Sequence, residues 1–286
     1  MEISLPTMSI SRKSPVTHVG RMNDFDFAGK TVVVTGGSMG IGETFARELD
    51  ARGAKLVLVA RSKEKLEALA ARLEHAQVIV EDLTKPGAAQ RVFDEVTRRG
   101  LDVDVLINNA GFGAHGPFAD IPLETQRGQI DLNIGALVEL TYVFLPMLER
   151  RRGGIIQVAS AAAYQPTPYM AVYGATKAFV LSFTEALWAE YKDRGVRVMA
   201  LSPGATDTPF FARAGEAAAG GSQKARPEGV VRLGLDEFPK NRPSVIHGLG
   251  NYLATFASRL LPRAFVVKLM ARISAPKQPA LQATTR

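Results

Sequence analysis

The chain contains no cysteine and only four scattered histidines, which removes disulfides and thiolate metal ligands and argues against a zinc centre. Acidic residues are missing in one region. No Asp or Glu follows Glu237, whereas Lys240, Arg242, Arg259, Arg263, Lys268, Arg272, Lys277 and Arg286 do. That stretch carries the whole excess of the net charge of +7. Its apolar segments are interrupted by Arg259, Pro262, Arg263 and Lys268, so none reaches the roughly 18 continuous apolar residues of a spanning helix, and no membrane crossing is expected. The first 21 residues carry Arg12, Lys13 and Arg21 but no continuous apolar core of the kind a secretory signal has. Residues 1–24 are expected to be a disordered extension. Met22 is a candidate start, with a weak transit peptide as the competing reading.

What is present suits one packed domain. A hydrophobic share of 46% against 22% charged residues lies far from disordered compositions. From Lys30 onward, short apolar runs alternate with longer amphipathic stretches, the pattern of strands and crossover helices in an α/β fold with a doubly wound parallel sheet. Strands are expected over Thr31–Thr35, Lys55–Ala60, Gln77–Glu81, Val103–Asn108, Gly154–Ser160 and Arg197–Ser202. Helices are expected near Gly40–Arg52, Ser62–Glu74, Lys85–Arg99, Leu123–Arg151 and Tyr169–Arg194. Ala214–Gly221 reads as a mobile small-residue loop. Ile246, Leu249, Leu253, Phe256 and Leu260 recur at helical spacing from near Pro243 to Pro262, and Phe265, Val266, Leu269, Met270 and Ile273 suggest a further helix. The expected organisation is a single domain over 25–240 with a substrate lid near 205–240, a basic helical C-terminal extension over 241–275, and a disordered tail over 276–286.

The first strand runs into Thr35-Gly36-Gly37-Ser38-Met39-Gly40-Ile41-Gly42. Glycines there let the backbone approach a pyrophosphate resting on the N-terminus of the next helix, and the strand before and helix after supply the required context. The spacing resembles the short-chain dehydrogenase/reductase family, whose pattern is Thr-Gly-x-x-x-Gly-x-Gly. Asn108-Asn109-Ala110-Gly111 after the fourth strand is similar to the family segment that steadies the sheet and lines the cofactor cleft, and Asp82-Leu83 falls where the family contacts adenine. The resemblance spans about Phe25 to Phe210 and implies a Rossmann-like fold.

After the second strand, an Asp or Glu would bond the ribose hydroxyl of NAD and repel a 2′-phosphate. This chain has Arg61 there, with Ser62 beside it and Lys65 one turn on, so NADP is the expected cofactor and NAD the weaker alternative. The glycine loop itself lacks the basic residue that some NADP-preferring relatives carry, having Ser38-Met39 instead.

Tyr173-Gly174-Ala175-Thr176-Lys177 puts a phenol and an ammonium one helical turn apart, and the cation is expected to draw the phenol's pKa of about 10 toward neutrality. The resemblance implies that Tyr173 gives its proton to the carbonyl oxygen being reduced, that Ser160 holds that oxygen, and that Asn133 supports a water chain leading from Lys177. It also implies that Pro203-Gly204, with Thr206 and Thr208, closes over the nicotinamide. No metal is expected in this chemistry.

Phe112, His115, Phe118, Tyr164, Tyr169, Phe210 and Phe211 follow strand ends and are candidates to line an apolar cleft for a lipid-like, steroid-like or acyl carbonyl substrate. A 3-oxoacyl thioester reductase is the alternative within the same chemistry, with the long tail counting against it. A nonenzymatic NADP-binding sensor is the alternative from another class, and the joint presence of Asn133, Ser160, Tyr173 and Lys177 argues against that. The family resemblance implies pairing through long helices such as Leu123–Arg151 and Tyr169–Arg194, as a homodimer or homotetramer. A cytoplasmic protein is expected, with peripheral contact to an anionic membrane, or packing on the domain or at a subunit interface, as the explanations of the basic helices. No nucleic-acid motif accompanies the charge.

Overall fold

The structure, a computed structural model, describes residues 25–219 and 221–276; the expectations for residues 1–24 and 277–286 lie outside them. β1 (Thr31–Thr35) is an unbroken TVVVT run, buried throughout, as befits a strand covered on both faces. Around it lie β2 (Lys55–Ala60), β3 (Ala76–Val80), β4 (Val105–Asn108), β5 (Gly154–Val158), β6 (Arg197–Ser202) and β7 (Ser244–Ile246). They pair in the order β3-β2-β1-β4-β5-β6-β7, every pair parallel. Strand order reverses between β1 and β4, and ligands of such sheets bind beyond the carboxyl ends at that switch point.

The helices are α1 (Gly40–Ala51), α2 (Lys63–Ala70), α3 (Ala88–Arg98), α4 (Leu123–Ile130), α5 (Leu137–Arg151), α6 (Ala171–Tyr191), α7 (Phe210–Ala214), α8 (Pro227–Glu237), α9 (Leu249–Leu260) and α10 (Arg263–Ser274). Strand alternation divides the core between them. Val32 and Val34 pack with Phe45, Leu49, Leu66, Val230 and Leu235 of α1, α2 and α8 on one face. Val33 and Leu106 pack with Val92, Val96, Phe144 and Leu148 of α3 and α5 on the other.

Three differences from the sequence reading matter for function. The helix expected over Leu123–Arg151 is interrupted by a π-helical turn over Asp131–Ala136, which periodicity could not show because one widened turn leaves the apolar spacing on either side intact. By length and composition this stretch could cross a membrane, yet Leu140, Phe144, Met147 and Leu148 are buried against the sheet, the usual place of a crossover helix.

The second difference concerns the lid. Only its first half overhangs the cleft: the segment from Thr206 is closed on itself by a bridge to Ala225, with Asp207 N donating to Ala225 O at 2.8 Å. The second half is α8, whose Val230, Val231 and Leu235 are fully buried, because these three apolar side chains gain more from the core than from a mobile flap. Third, Ser244–Ile246 is not the start of a helix but the last strand, so the sheet continues past residue 240.

Phe238, just after α8, is fully buried and packs against Phe25 and Phe27 with ring centroids 5.2 and 5.8 Å away. Phe238→Ala is therefore expected to cost about 3–5 kcal/mol of folding stability, measurable by equilibrium denaturation. A lid residue would cost almost nothing.

Candidate active site

The glycine turn is shaped by contacts that leave no room for side chains. Gly36 has φ +65°, and a Cβ there would meet Asn109 Nδ2 at 2.9 Å and Ala110 Cα at 3.0 Å. Gly42, one layer beneath, sits against the Gly36 carbonyl. Gly40 opens α1 with φ +58°, and no side chain caps that helix's first turn, so its N–H groups remain available to an anion. Thr35 joins β1 to β4 here: its hydroxyl accepts from Asn109 N and Ala110 N, both at 3.0 Å, and Asn109 Nδ2 donates to the Thr35 carbonyl at 2.9 Å.

A cleft of about 1070 Å³ runs from this turn to Ser160, Tyr173 and Lys177. Gly36, Ser38, Met39, Gly40, Ile41, Arg61, Ser62, Asp82, Leu83, Asn109, Ala110 and Gly111 line it, as do Ser160, Tyr173, Lys177, Pro203, Gly204, Thr206 and Thr208. Two expected cofactor residues are not on its wall: Gly42 lies beneath it, and Lys65 is on the exposed side of α2. One turn into that helix its side chain is carried away from the cleft.

Glu81 lines the cleft without having been anticipated. Arg91 grips it with Nε–Oε2 at 2.9 Å and Nη2–Oε1 at 2.8 Å, and these bonds hold its carboxyl below the ordinary value. A glycine cradle, an uncapped helix start and a cation–hydroxyl pair in one continuous cleft fit an extended dinucleotide phosphate.

Asn133 sits on the π-helical turn, behind the cleft wall. Such turns often mark functional positions. Its Nδ2 donates to Phe112 O at 2.9 Å and to Thr176 Oγ1 at 3.0 Å, while its Oδ1 accepts from Phe112 N at 3.0 Å. Thr176 Oγ1 in turn donates to Tyr173 O at 2.7 Å. The amide thus ties the loop after β4 to the Tyr173–Lys177 turn of α6. Lys177 is buried and its Nζ donates to the Val158 carbonyl at 2.7 Å. Ser160 lies just beyond β5, its Oγ accepts from Ala162 N at 3.1 Å, and it shares the cleft wall with Tyr173.

The expected acidification of the phenol is not found. Part of the Tyr173 ring faces the cleft, but the protein around it is dense, and burial pushes its pKa up to about 12, outweighing the opposing influence of the Ser160 hydroxyl. Burial likewise pushes Lys177 down to about 8. Lys177 Nζ is engaged by a backbone carbonyl and lies 5.9 Å from the ring centroid, so desolvation outweighs the attraction.

A stability consequence follows from the direction of the Lys177 shift. A folded pKa of about 8, below an unfolded value of 10.5, means that keeping this amine costs on the order of 3 kcal/mol where it must be charged. Lys177→Met is therefore expected to stabilise the protein at pH 7, with the gain shrinking as pH rises from about 8 to 10.5. Denaturant unfolding of both forms at neutral and alkaline pH measures this.

On the substrate side, Phe112, Phe210 and Phe211 line the cleft as expected, whereas Phe118 is exposed and His115, Tyr164 and Tyr169 stand off the wall. His115 Nε2 lies 2.8 Å from Ser274 O at the end of α10, and Tyr164 OH lies 3.4 Å from Ser202 Oγ. Asn251 of α9 and Met270, Ile273 and Ser274 of α10 form part of the wall and were missed. Helical spacing revealed that α9 and α10 exist but carried no signal of what they cover.

Residues 30–219, more than half of the chain, match the family described as short chain dehydrogenase. A very-long-chain 3-oxoacyl-CoA reductase of Anas platyrhynchos is 39% identical over 187 residues, a match taking in 61% of this chain and 59% of that protein. A hydroxysteroid dehydrogenase-like protein 1 of Gallus gallus is 35% identical over 193 residues, covering 65% of this chain and 58% of that one. This chain therefore spans about three fifths of the length of the curated relatives it matches. Among solved structures, a short-chain dehydrogenase from Sphingobium yanoikuyae in complex with NADPH superposes with TM-score 0.73 at 33% identity, covering 87% of this chain and 97% of that one. By sequence, by fold and by its glycine turn, this chain belongs to the short-chain dehydrogenase family.

Proposed function

We propose that the protein is an NADP(H)-dependent oxidoreductase that interconverts a carbonyl and an alcohol on a hydrophobic substrate. The observation that carries this reading is that Ser160, Tyr173 and Lys177 converge on the wall of the same cleft as the glycine turn. Gly36 to Gly42 would hold the pyrophosphate, Asp82 and Leu83 the adenine, Arg61 and Ser62 the 2′-phosphate, and Pro203, Gly204, Thr206 and Thr208 the nicotinamide end. Glu81, neutralised by Arg91, adds little repulsion toward that phosphate. When bound, the dinucleotide supplies or takes up the hydride.

The rest falls to the chain. With a pKa of about 12, the Tyr173 phenol is fully protonated at neutral pH, so it is ready to give its proton to a carbonyl oxygen that Ser160 holds by a second hydrogen bond. Once that proton has left, Lys177 offsets the phenolate charge, an attraction that matters only then. Asn133 positions this turn of α6 through Thr176 and the Phe112 loop. Oxidation of an alcohol is the same sequence reversed.

Phe112, Met170, Phe210, Phe211, Met270 and Ile273 give the substrate end an apolar wall. With the 39% identity to a very-long-chain 3-oxoacyl-CoA reductase, this favours a long-chain 3-oxoacyl thioester as the narrower reading. The C-terminal tail, an objection in the sequence, is now support, because α10 forms part of that wall. A sensor would need the glycine turn but not the Ser160, Tyr173 and Lys177 arrangement. Exposed Tyr142 on α5 and the stacked Phe179 and Phe183 on α6, with centroids 5.7 Å apart, support pairing of copies as a dimer or tetramer. The exposed basic residues after Glu237 support peripheral contact with an anionic bilayer.

NADPH absorbance across fatty aldehydes, steroids and 3-oxoacyl thioesters tests the reading. Turnover is expected with long-chain carbonyls, and absence of turnover with every one would refute it.

A further inference from the structure

α9 is built inside out. Thr255 and Ser258, 4% and 8% exposed, turn toward the domain, whereas Leu253 and Phe256, each 55% exposed, face solvent together with Leu249, Tyr252 and Leu260. The buried hydroxyls are satisfied within the helix: Thr255 Oγ1 donates to Tyr252 O and Ser258 Oγ to Thr255 O, both at 2.8 Å. Burying one large apolar side chain ordinarily contributes about 1.5–3 kcal/mol, and α9 forgoes that contribution along its whole outer face. α10 continues the pattern, with Phe265, Leu269 and Ile273 exposed at four-residue spacing while Val266 faces inward.

Charge decides what could cover this surface. Arg259, Arg263, Lys268 and Arg272 are exposed beside the apolar residues, and no acidic residue follows Glu237. A second copy docking by two-fold symmetry would bring the same cations of both copies together without a counter-charge, which opposes association. An anionic lipid surface complements them and takes up the apolar side chains as well.

The same helices reach the reaction cleft. Met270 and Ile273 line it, Ile273 is also on the exposed row, and the 2.8 Å contact of His115 Nε2 with Ser274 O fixes the end of α10 over the loop after β4. We infer that the α9–α10 pair seats the mouth of the cleft on an anionic bilayer and that substrate passes from the lipid phase into the cleft beside Ile273. This rests on the reading of the cleft as one for hydrophobic carbonyl compounds.

Flotation of the full chain with phosphatidylcholine vesicles, with and without phosphatidylserine and at low and high salt, measures the docking. NADPH oxidation with a short water-soluble carbonyl and with a long-chain one carried in the vesicles measures the passage. The wild type is expected to float with the anionic vesicles and to detach at high salt. Leu253→Ser with Phe256→Ser, and separately Lys268→Glu with Arg272→Glu, are expected to lower the bound fraction about tenfold. They should lower turnover of the vesicle-borne carbonyl alike and leave the soluble one unchanged.

No flotation of the wild type overturns the inference. So does a variant that loses flotation but keeps vesicle-borne turnover, or one that floats normally while its mass by light scattering falls, which would mark the face as a subunit interface. Failure of the reductase reading looks different: no oxidation of NADPH with the soluble carbonyl, whatever the flotation.

Discussion

Replacing Tyr173 by Phe is expected to lower turnover by about 10²–10⁴-fold, the range that positioned proton transfer contributes, with NADPH affinity close to that of the wild type. The change removes one oxygen and little else. The ring packs against Phe210 at 5.4 Å between centroids, and a Cβ on Gly113 would meet it at 2.9 Å, so its position is fixed by neighbours that do not depend on the hydroxyl. The loss should therefore fall on kcat and kcat/KM together, as it does when an interaction made in the transition state is removed. Steady-state rates with fluorescence titration of NADPH separate the two quantities. Turnover within a few-fold of the wild type would remove Tyr173 from the reaction.

Arg61→Asp should invert the choice of dinucleotide. Arg61 ends the turn after β2 on the cleft wall, where its guanidinium can meet a dianionic phosphate through charge-assisted bonds, each contributing about 1.5–3 kcal/mol. An Asp in that place repels the phosphate and accepts from the ribose hydroxyl of NADH. The ratio of kcat/KM for NADPH over NADH is expected to fall by about 10²-fold or more. Because Arg61 is exposed, the wild-type preference should also weaken as salt is raised. An unchanged ratio would move phosphate recognition to another part of the cleft. Lys65, on the exposed side of α2, offers no obvious substitute.

How much of this was legible beforehand depends on which signals are local. The glycine turn, the Asn109 junction and the Tyr173–Lys177 turn were readable because each is a short string whose spacing is dictated by one contact: Gly36 by Asn109, Gly42 by the Gly36 carbonyl, Lys177 by a single turn of helix. β1, β2, β4, β5 and β6 were readable because strands buried in the sheet's interior are near-continuous apolar runs, and the edge strand β3 because its Val78, Ile79 and Val80 follow the α2 pattern. β7 was not, since three residues with Ser244 at one end carry no period and sit against helical spacing that starts at Ile246. α8 was hidden behind the small residues that precede it.

The site's missing parts are non-local. Asn251, Met270 and Ile273 reach the cleft only because α9 and α10 fold back across the strand ends, a tertiary outcome that no window of sequence encodes. The charge states were also out of reach. From spacing alone, an ammonium one turn from a phenol reads as an acidifying neighbour. In the folded protein the Val158 carbonyl holds that ammonium, and burial raises the phenol to about 12 while lowering the amine to about 8. Desolvation is a property of the whole surrounding structure, which is why the residues were identifiable and their resting protonation was not.

A crystal structure with bound NADP⁺ and an unreactive long-chain alcohol tests the central claim most directly. It should place the Tyr173 and Ser160 hydroxyls each about 2.6–3.2 Å from the carbinol oxygen, beside the nicotinamide and with the pyrophosphate on the Gly36–Gly42 turn. A Tyr173 hydroxyl turned away from that oxygen, or a dinucleotide lying elsewhere, would contradict the account.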